Sequence, residues 1–511
     1  MQAKKKTAAI YNRWLFTLGG GEQVTFAYAE ALREAGYQTA LLTHKQIDKT
    51  KAEQKMNVDL TDIEIKYLPL ALSNELSTYS EKYDIFINTS YLDYFPNRSR
   101  NGFLSIFFPA EIYLTPWEFL KRRVFIPTLK LIFVYPTEFE GFLHDTYKNG
   151  KILKWLGPRS SIKFNSTSIK KLSIDLYFPT FAYSISESVE FSFNGQPVKA
   201  NVRTLNHKTN IIRYLFETST PITSFAIDLT KISSEQIAIA RLEIPKFQYV
   251  IYNLFKHFFP RWEMRLHGGP GITSLSDIKS YKKIITISKF CQFWIKKYWG
   301  LPSAVLYPPV NTKAFAIVKK QNWICHIGRF FVTGHSKKQL ELIQVFKELI
   351  DSKQLADWEL HLIGSVYEGK NHQQYFEACV EEAKGYPVVF HTQAPFSEVK
   401  DVLSQSKIYW HATGLDEDKE RQPILMEHFG ITTVEAMASG CIPVVINAGG
   451  QPEIVTPGSG FVWNDRDELK KFTIKISNNV RLQKTMSLAS QKRSAYFSRE
   501  NFLSRFKKII D

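Results

Sequence analysis

The first apolar run, "TAAIYNRWLF" at 7–16, begins as a short unbroken stretch, the pattern of a strand covered on both faces. "LGGGEQVTFAYAEALREAGYQTALLTH" (18–44) then gives a glycine-rich turn, a helix with Gly36 as its stop, and a second strand. Strand, helix and strand in that order open a doubly wound α/β domain. "YDIFINTS" (83–90) and "GFLSIFFP" (102–109) predict further strands.

The pattern changes after residue 157. Helical periodicity fades, and β-branched and aromatic residues alternate in short runs such as "SVEFSFNGQPVK", with Asn194-Gly195 as a hairpin turn. Residues 157–245 therefore predict a β-rich insert, a small sandwich. Helical α/β style returns with "FQYVIYNLFKHFFPRW". "YKKIITISKFCQFWIKKYWGLPSAVLYPPVN" (281–311) gives strand, helix and strand before a Pro-Pro turn. A second α/β series starts at "WICHIG" (323–328) and runs through "WELHLIG" (358–364), "PVVFHT" (387–392) and "KIYWHAT" (407–413) to C-terminal helices. The expected fold class is α/β, with two facing Rossmann-like domains. The first comprises 1–156 and 246–311 and is interrupted by the insert. The second is 312–490, and 491–511 is a helix crossing back. Ligands belong in the cleft at the strand carboxyl ends.

A chain of 511 residues exceeds one ordinary core, and an apolar fraction of 44% excludes a disordered one. Lys and Arg number 66 against 49 Asp and Glu. That excess suits a polyanionic partner: nucleic acid, an anionic membrane surface or a phosphorylated substrate. No nucleic-acid recognition motif stands out. Cys291, Cys325, Cys379 and Cys441 form no C-x-x-C pair, which argues against zinc and for reduced thiols in a cytoplasmic protein. No apolar run reaches about 18 residues, so neither a spanning helix nor a signal peptide is expected. "FQYVIYNLFKHFFPRWEMR" (247–265) sets cations beside apolar rings, which fits an interfacial helix or a core helix equally well.

The richest stretch is "EHFGITTVEAMASGCIPVVINAGGQPEIV" (427–455). Thr432 as N-cap, Glu435 three residues on and Gly440 as stop would form a capping box. The same spacing allows chemistry. Amides freed just after Gly430 can hold a phosphate, and a carboxylate one turn in can accept from a ribose diol. Glu427, before the turn, would face a sugar hydroxyl.

"E-H-F-G-I-T-T-V-E" resembles the E-x7-E motif of retaining nucleotide-sugar glycosyltransferases of family 4, which have the two-Rossmann GT-B fold. "HIGRFFVTGHSKKQLELIQVFKEL" (326–349) looks like that family's Gly-Arg…Lys segment, and "GGGEQVTFAYAEAL" like its Gly-Gly-x-Glu loop. "ISKFCQFWIKKYWGLPSAVLYPPV" looks like its interdomain segment. The likeness covers about 1–125 and 245–500 and leaves the insert out.

The resemblance implies a nucleoside-diphosphate sugar donor bound by the 312–490 domain. Arg329 and Lys337 would neutralise the leaving diphosphate, with the adjacent Lys338 as an alternative. Glu427 would hold the sugar. Phe429, Gly430, Ile431 and Thr432 would form the turn over the donor, Glu435 its ribose contact, and Gly449 and Gly450 the loop beneath the sugar. Thr413 and Gly414 would border the pocket, and Gly20 and Gly21 would admit close approach from the first domain. The sequence departs from the family where a first-domain histidine is common: "SIFFPAE" has Phe107 there, with Glu111 nearby, and His44, His267 and His428 are alternatives. "DED" (416–418) suggests a metal site or a solvated loop; the resemblance implies no metal and no other cofactor. The implied reaction is sugar transfer with retention to a glycan or lipid-linked acceptor in polysaccharide or glycoconjugate biosynthesis. It would take place in the cytoplasm or peripherally on the cytoplasmic face of a membrane. The rivals are a nucleotide-sugar epimerase, a phosphorylase, and a glycan-binding protein on an inert core.

Overall fold

The computed structural model describes residues 6–56, 58–68, 73–110, 120, 124–148, 151–178, 188–206, 209–232, 237–258, 275–332, 335–367 and 369–510. The chain begins with β1 (Thr7–Tyr11), helix α1 (Gly20–Glu34), β2 (Gln38–Thr43), β3 (Glu64–Tyr67), β4 (Ile85–Asn88) and β5 (Asn101–Ile106). Helix α2 (Ile126–Ile132) precedes nine strands of the insert: β6 (Pro136–Lys148), β7 (Lys151–Phe164), β8 (Ile169–Tyr177), β9 (Glu190–Phe193), β10 (Gln196–Val198), β11 (Val202–Asn206), β12 (Ile211–Ile222), β13 (Ser224–Asp228) and β14 (Ala238–Glu243). Helix α3 (Phe247–Phe258) closes that segment. Then come β15 (Lys283–Thr286), helix α4 (Lys289–Trp299) and β16 (Ala304–Val305).

The second series has β17 (Gln321–Ile327), α5 (Gln339–Asp351), β18 (Glu359–Ile363), β19 (Val388–His391), β20 (Ser406–His411), α6 (Ile431–Ala438), β21 (Ile442–Ile446) and β22 (Phe461–Trp463). Helices α7 (Val480–Ser494) and α8 (Arg499–Ile510) end the chain.

Both Rossmann-like sheets are parallel. The first runs β16-β15-β5-β4-β1-β2-β3 and the second β19-β18-β17-β20-β21-β22. Their apolar runs are continuous because helices cover both faces: Ala8, Ala9, Ile10 and Tyr11 are all fully buried. In the second sheet the strand order reverses between β17 and β20. That reversal parts the two flanking loops and opens a crevice at the carboxyl ends. Helix α8 packs back on α1, with Phe502 and Phe506 against Tyr28 at ring distances of 5.4 and 4.8 Å, and Arg499 pairs with Glu30.

The insert departs from its expected bounds. It forms a separate compact unit with Tyr113–Ile272, and residue 157 falls inside β7. Strand β6 was missed because its pairing with β7 is broken by register shifts, which blur the two-residue alternation. Helix α3 also belongs to this unit and not to the first Rossmann-like domain, because Tyr249 and Tyr252 lie in the core with Phe191, Phe225 and Ile174. The expected sandwich is built from one hydrogen-bonded sheet, in the order β10-β9-β13-β7-β14-β8-β12-β11 with β6 on β7, curled so that Phe191 of β9 meets Tyr214 and Phe216 of β12 at 4.9 and 5.0 Å.

Candidate active site

The crevice of the second sheet gathers ionisable groups. His326 is the penultimate residue of β17 and His411 the last of β20. Both are buried, as expected of residues in central parallel strands. Just beyond β17, Gly328 gives room to the incoming Lys337, since a Cβ there would lie 2.5 Å from the Lys337 Cγ. Lys337 Nζ then reaches the Glu427 carboxylate at 2.5 Å, and His411 Nε2 meets the same oxygen at 3.3 Å.

This trio fixes its own charges. Burial alone would raise the Glu427 carboxyl, but the Lys337 ammonium and the His411 contact outweigh it and hold Glu427 well below the usual carboxylate range. Burial pushes His411 down, which keeps its ring neutral and lets Nε2–H donate to Glu427. His326 falls to about 3 for the same reason, with Nδ1–H donating to the Trp410 carbonyl at 3.0 Å. Its Nε2, the His411 Nδ1 and the Thr413 Oγ1 are buried with no protein partner among the described residues. Three orphaned polar atoms at one crevice are the mark of a site built for something polar.

Helix α6 starts beside this trio. Its N-cap is Gly430, at φ +115°, a conformation only glycine adopts readily. A Cβ at Gly430 would sit 2.0 Å from the Gln451 amide nitrogen. Gln451 in turn donates to the Phe429 carbonyl at 3.0 Å and accepts from the Thr433 hydroxyl at 2.8 Å, which pins the turn. The expected capping box is therefore corrected. Helix α6 begins at Ile431, so Thr432 lies inside it and bonds the Tyr409 hydroxyl at 2.8 Å. The amides of Ile431 and Thr432 head the helix, where no intrahelical carbonyl can reach them. Glu435, one turn in, is half-buried, and burial pushes its carboxyl up to about 7.

The other predicted residues divide into those near this cluster and those with different work. Gly449 and Gly450 are glycines because backbone crosses them: a Cβ would lie 2.0 Å from the Glu427 carbonyl and 2.7 Å from that of His428. Gly450 N–H donates to the Glu427 carbonyl at 2.8 Å, so this loop supports the Glu427 turn. Gly414, at φ +99°, faces Met426. Arg329 is exposed, with its guanidinium 5.7 Å from both the Phe331 and Tyr367 rings. Lys338 is turned away from the cluster and pairs with Glu417 at 2.7 Å. Glu417 is the middle acid of "DED"; Asp416 pairs with Arg466 at 2.6 Å, and Asp418 accepts the Glu420 and Arg421 amides.

In the first domain, Gly20 and Gly21 open α1. A Cβ at Gly20 would come within 3.3 Å of Ile431, and one at Gly21 within 3.4 Å of Phe107. Glu22 closes that turn by accepting from the Gly19 amide and the Thr17 hydroxyl, both at 2.8 Å. His44 lies apart, on Tyr11 at 2.9 Å. His428 stacks on Phe108 at 4.5 Å, and burial takes it to about 3. Glu111 and His267 lie outside the described residues. Sequence reasoning missed His326, His411 and also His335, whose ring lies 5.7 Å from that of His428 and is pushed down by burial. "HIG" and "WHATG" put two of them at strand ends flanking the reversal, a position that could have flagged them.

Residues 310–493 match the family model described as Glycosyl transferases group 1. This chain carries a group 1 glycosyltransferase domain. The domain holds the Lys337–Glu427–His411 cluster, the start of α6 and every candidate second-domain residue. The chain is 25% identical over 223 residues to a Xenopus laevis GDP-Man:Man(3)GlcNAc(2)-PP-Dol alpha-1,2-mannosyltransferase, covering 42% of this chain and 41% of that one. It is 26% identical over 205 residues to the Homo sapiens protein of the same name, covering 37% and 38%. The match thus spans about two fifths of the length of these curated relatives. Among solved structures, Anabaena HepE in complex with UDP and glucose aligns over 99% of both chains, with a TM-score of 0.51 and 11% identity. Sucrose-phosphate synthase from Thermosynechococcus elongatus aligns over 99% of this chain and 98% of that one, with a TM-score of 0.51 and 11% identity. These likenesses establish the GT-B fold around the domain.

Proposed function

We propose that the protein is a retaining glycosyltransferase that passes a sugar from a nucleoside diphosphate to a glycan or lipid-linked acceptor. The observation that carries this reading is the half-buried Lys337–Glu427 pair on the buried His411, beside the open amides of α6, with Glu435 one turn further in. The diphosphate would lie on the amides of Ile431 and Thr432, between Lys337 and Arg329. The ribose hydroxyls would donate to Glu435 and a sugar hydroxyl to Glu427. As the bond from the anomeric carbon to the diphosphate oxygen breaks, negative charge collects on the diphosphate, and fixed cations stabilise it. The acceptor oxygen bonds to the same carbon from the same face and its proton passes to the departing phosphate oxygen, the course that the E-x7-E resemblance implies. Lys337, Arg329 and the helix start would do the electrostatic work without a metal.

The named relatives make GDP-mannose the first donor to try and a polyprenyl diphosphate-linked glycan the first acceptor. Among the described residues no helix is long and apolar enough to cross a membrane. The proposed setting is the cytoplasmic face of one. The test is a thermal-shift screen against UDP, GDP, ADP, dTDP and their sugar conjugates. One nucleotide family should raise the melting temperature, and Glu435→Gln should weaken that response. A folded sample that responds to none of them would overturn the reading.

A further inference from the structure

Large apolar side chains stand exposed on two neighbouring helices of the insert. On α3, Phe247, Val250, Leu254 and Phe258 repeat at spacings of three and four, so they form one stripe along the helix. Phe247 is 75% exposed and Phe258 68%. The opposite face carries Tyr249 and Tyr252, which are buried in the insert core. The second helix, α2, repeats the design: Ile126 is buried, whereas Leu131 is 88% exposed and Val124 and Ile132 are each 47% exposed. The end of α2 meets α3: the ring of Phe133, just after α2, lies 5.1 Å from Phe255 and 6.1 Å from Tyr252.

Charge decides what such a face suits. Residues 120–132 contain Lys121, Arg122, Arg123 and Lys130 and not one acid. Residues 246–262 contain Lys246, Lys256 and Arg261 and again not one acid. Apolar rings and aliphatic chains on one side of a helix, in sequence segments whose only charges are cations, match a bilayer interface. The rings enter the acyl boundary while the cations stay with anionic headgroups. An apolar stripe of this kind on a water-facing surface is otherwise a liability.

We propose that α2 and α3 dock the insert onto an anionic lipid surface. This rests on the insert alone and holds whether or not the transfer reaction is as described above.

The full-length protein is floated with vesicles of phosphatidylcholine, with and without phosphatidylglycerol. It should float with the anionic vesicles, less so as salt rises. Leu254→Asp with Phe258→Asp should cut partitioning by about tenfold or more. Leu131→Asp, on the other helix, should cut it independently. Melting temperatures and nucleotide responses should stay unchanged, since all three side chains face water. Wild-type protein that stays with neither vesicle, or anionic-vesicle binding untouched by both variants, overturns the proposal. So does a lipid-free dimer that these variants convert to monomer, which would assign the face to a second copy of the chain.

Discussion

The turn that carries Glu427 and the helical turn that carries Glu435 lie eight residues apart in one domain, and their electrostatics are opposite. Glu427 faces Lys337 and the His411 ring and is held far below the carboxylate range. Glu435 has burial without a cation, and its carboxyl rises to about 7. A buried acid keeps its charge only where a cation has been built beside it. The fold supplies that cation to Glu427 permanently. Among the described residues no side chain or amide meets the Glu435 carboxyl.

The sharpest way to break this contrast is to take the cation away. Lys337→Met strands a largely buried carboxylate and should cost up to about 3–4 kcal/mol in urea unfolding, with loss of sugar transfer. Adding Glu427→Gln should recover most of the stability and none of the activity. If the single variant is as stable as the wild type, the pair is not the buried unit described.

The next effect belongs to Glu435. Its folded carboxyl titrates near 7 against an ordinary 4.5, so the folded state holds a proton that the unfolded state has already lost. Stability should therefore fall as pH rises from 4.5 to 7, by on the order of 3 kcal/mol. In Glu435→Gln this part of the profile should vanish, leaving a variant more stable than wild type at pH 8 but poorer at holding nucleotide. A capping role would give the reverse: lower stability with unchanged nucleotide response. The smallest effect is expected at Lys338→Ala, which removes an ion pair with Glu417 outside the cluster. A loss of about 1 kcal/mol or less, with transfer retained, would separate it from its neighbour Lys337.

Much of this site could be read in advance because its signals are local. The two glutamates, the Phe-Gly turn and the double glycine all sit within 29 residues. What could not be read was geometry that depends on distant chain. Gly430 takes its positive φ from Gln451 filling the space where a Cβ would go, and this moves the cap off Thr432. His411 becomes part of the site only because β20 lies next to β17 across the strand reversal. Lys337 and Lys338 are indistinguishable as letters, and the αL backbone at Lys338, φ +59°, sends the two side chains apart. The insert's true beginning did leave a clue, since Asn149-Gly150 is a strong hairpin signal. The broken register of β6 hid it.

Glu453 shows how the two parallel sheets are tied together. Its carboxylate accepts the amides of Lys289 and Phe290 at the start of α4, at 2.8 and 2.7 Å, and the Tyr307 hydroxyl at 3.0 Å. Helix α8 makes a second tie by packing on α1. That second tie has a cost in time. Tyr28 is made early, whereas Phe502 and Phe506 follow only after both sheets have been synthesised. The first domain must therefore wait, its helix α1 uncovered, until the segment that carries α8 has been synthesised. During that interval an apolar face and the otherwise buried Glu30 are open to water and to other chains.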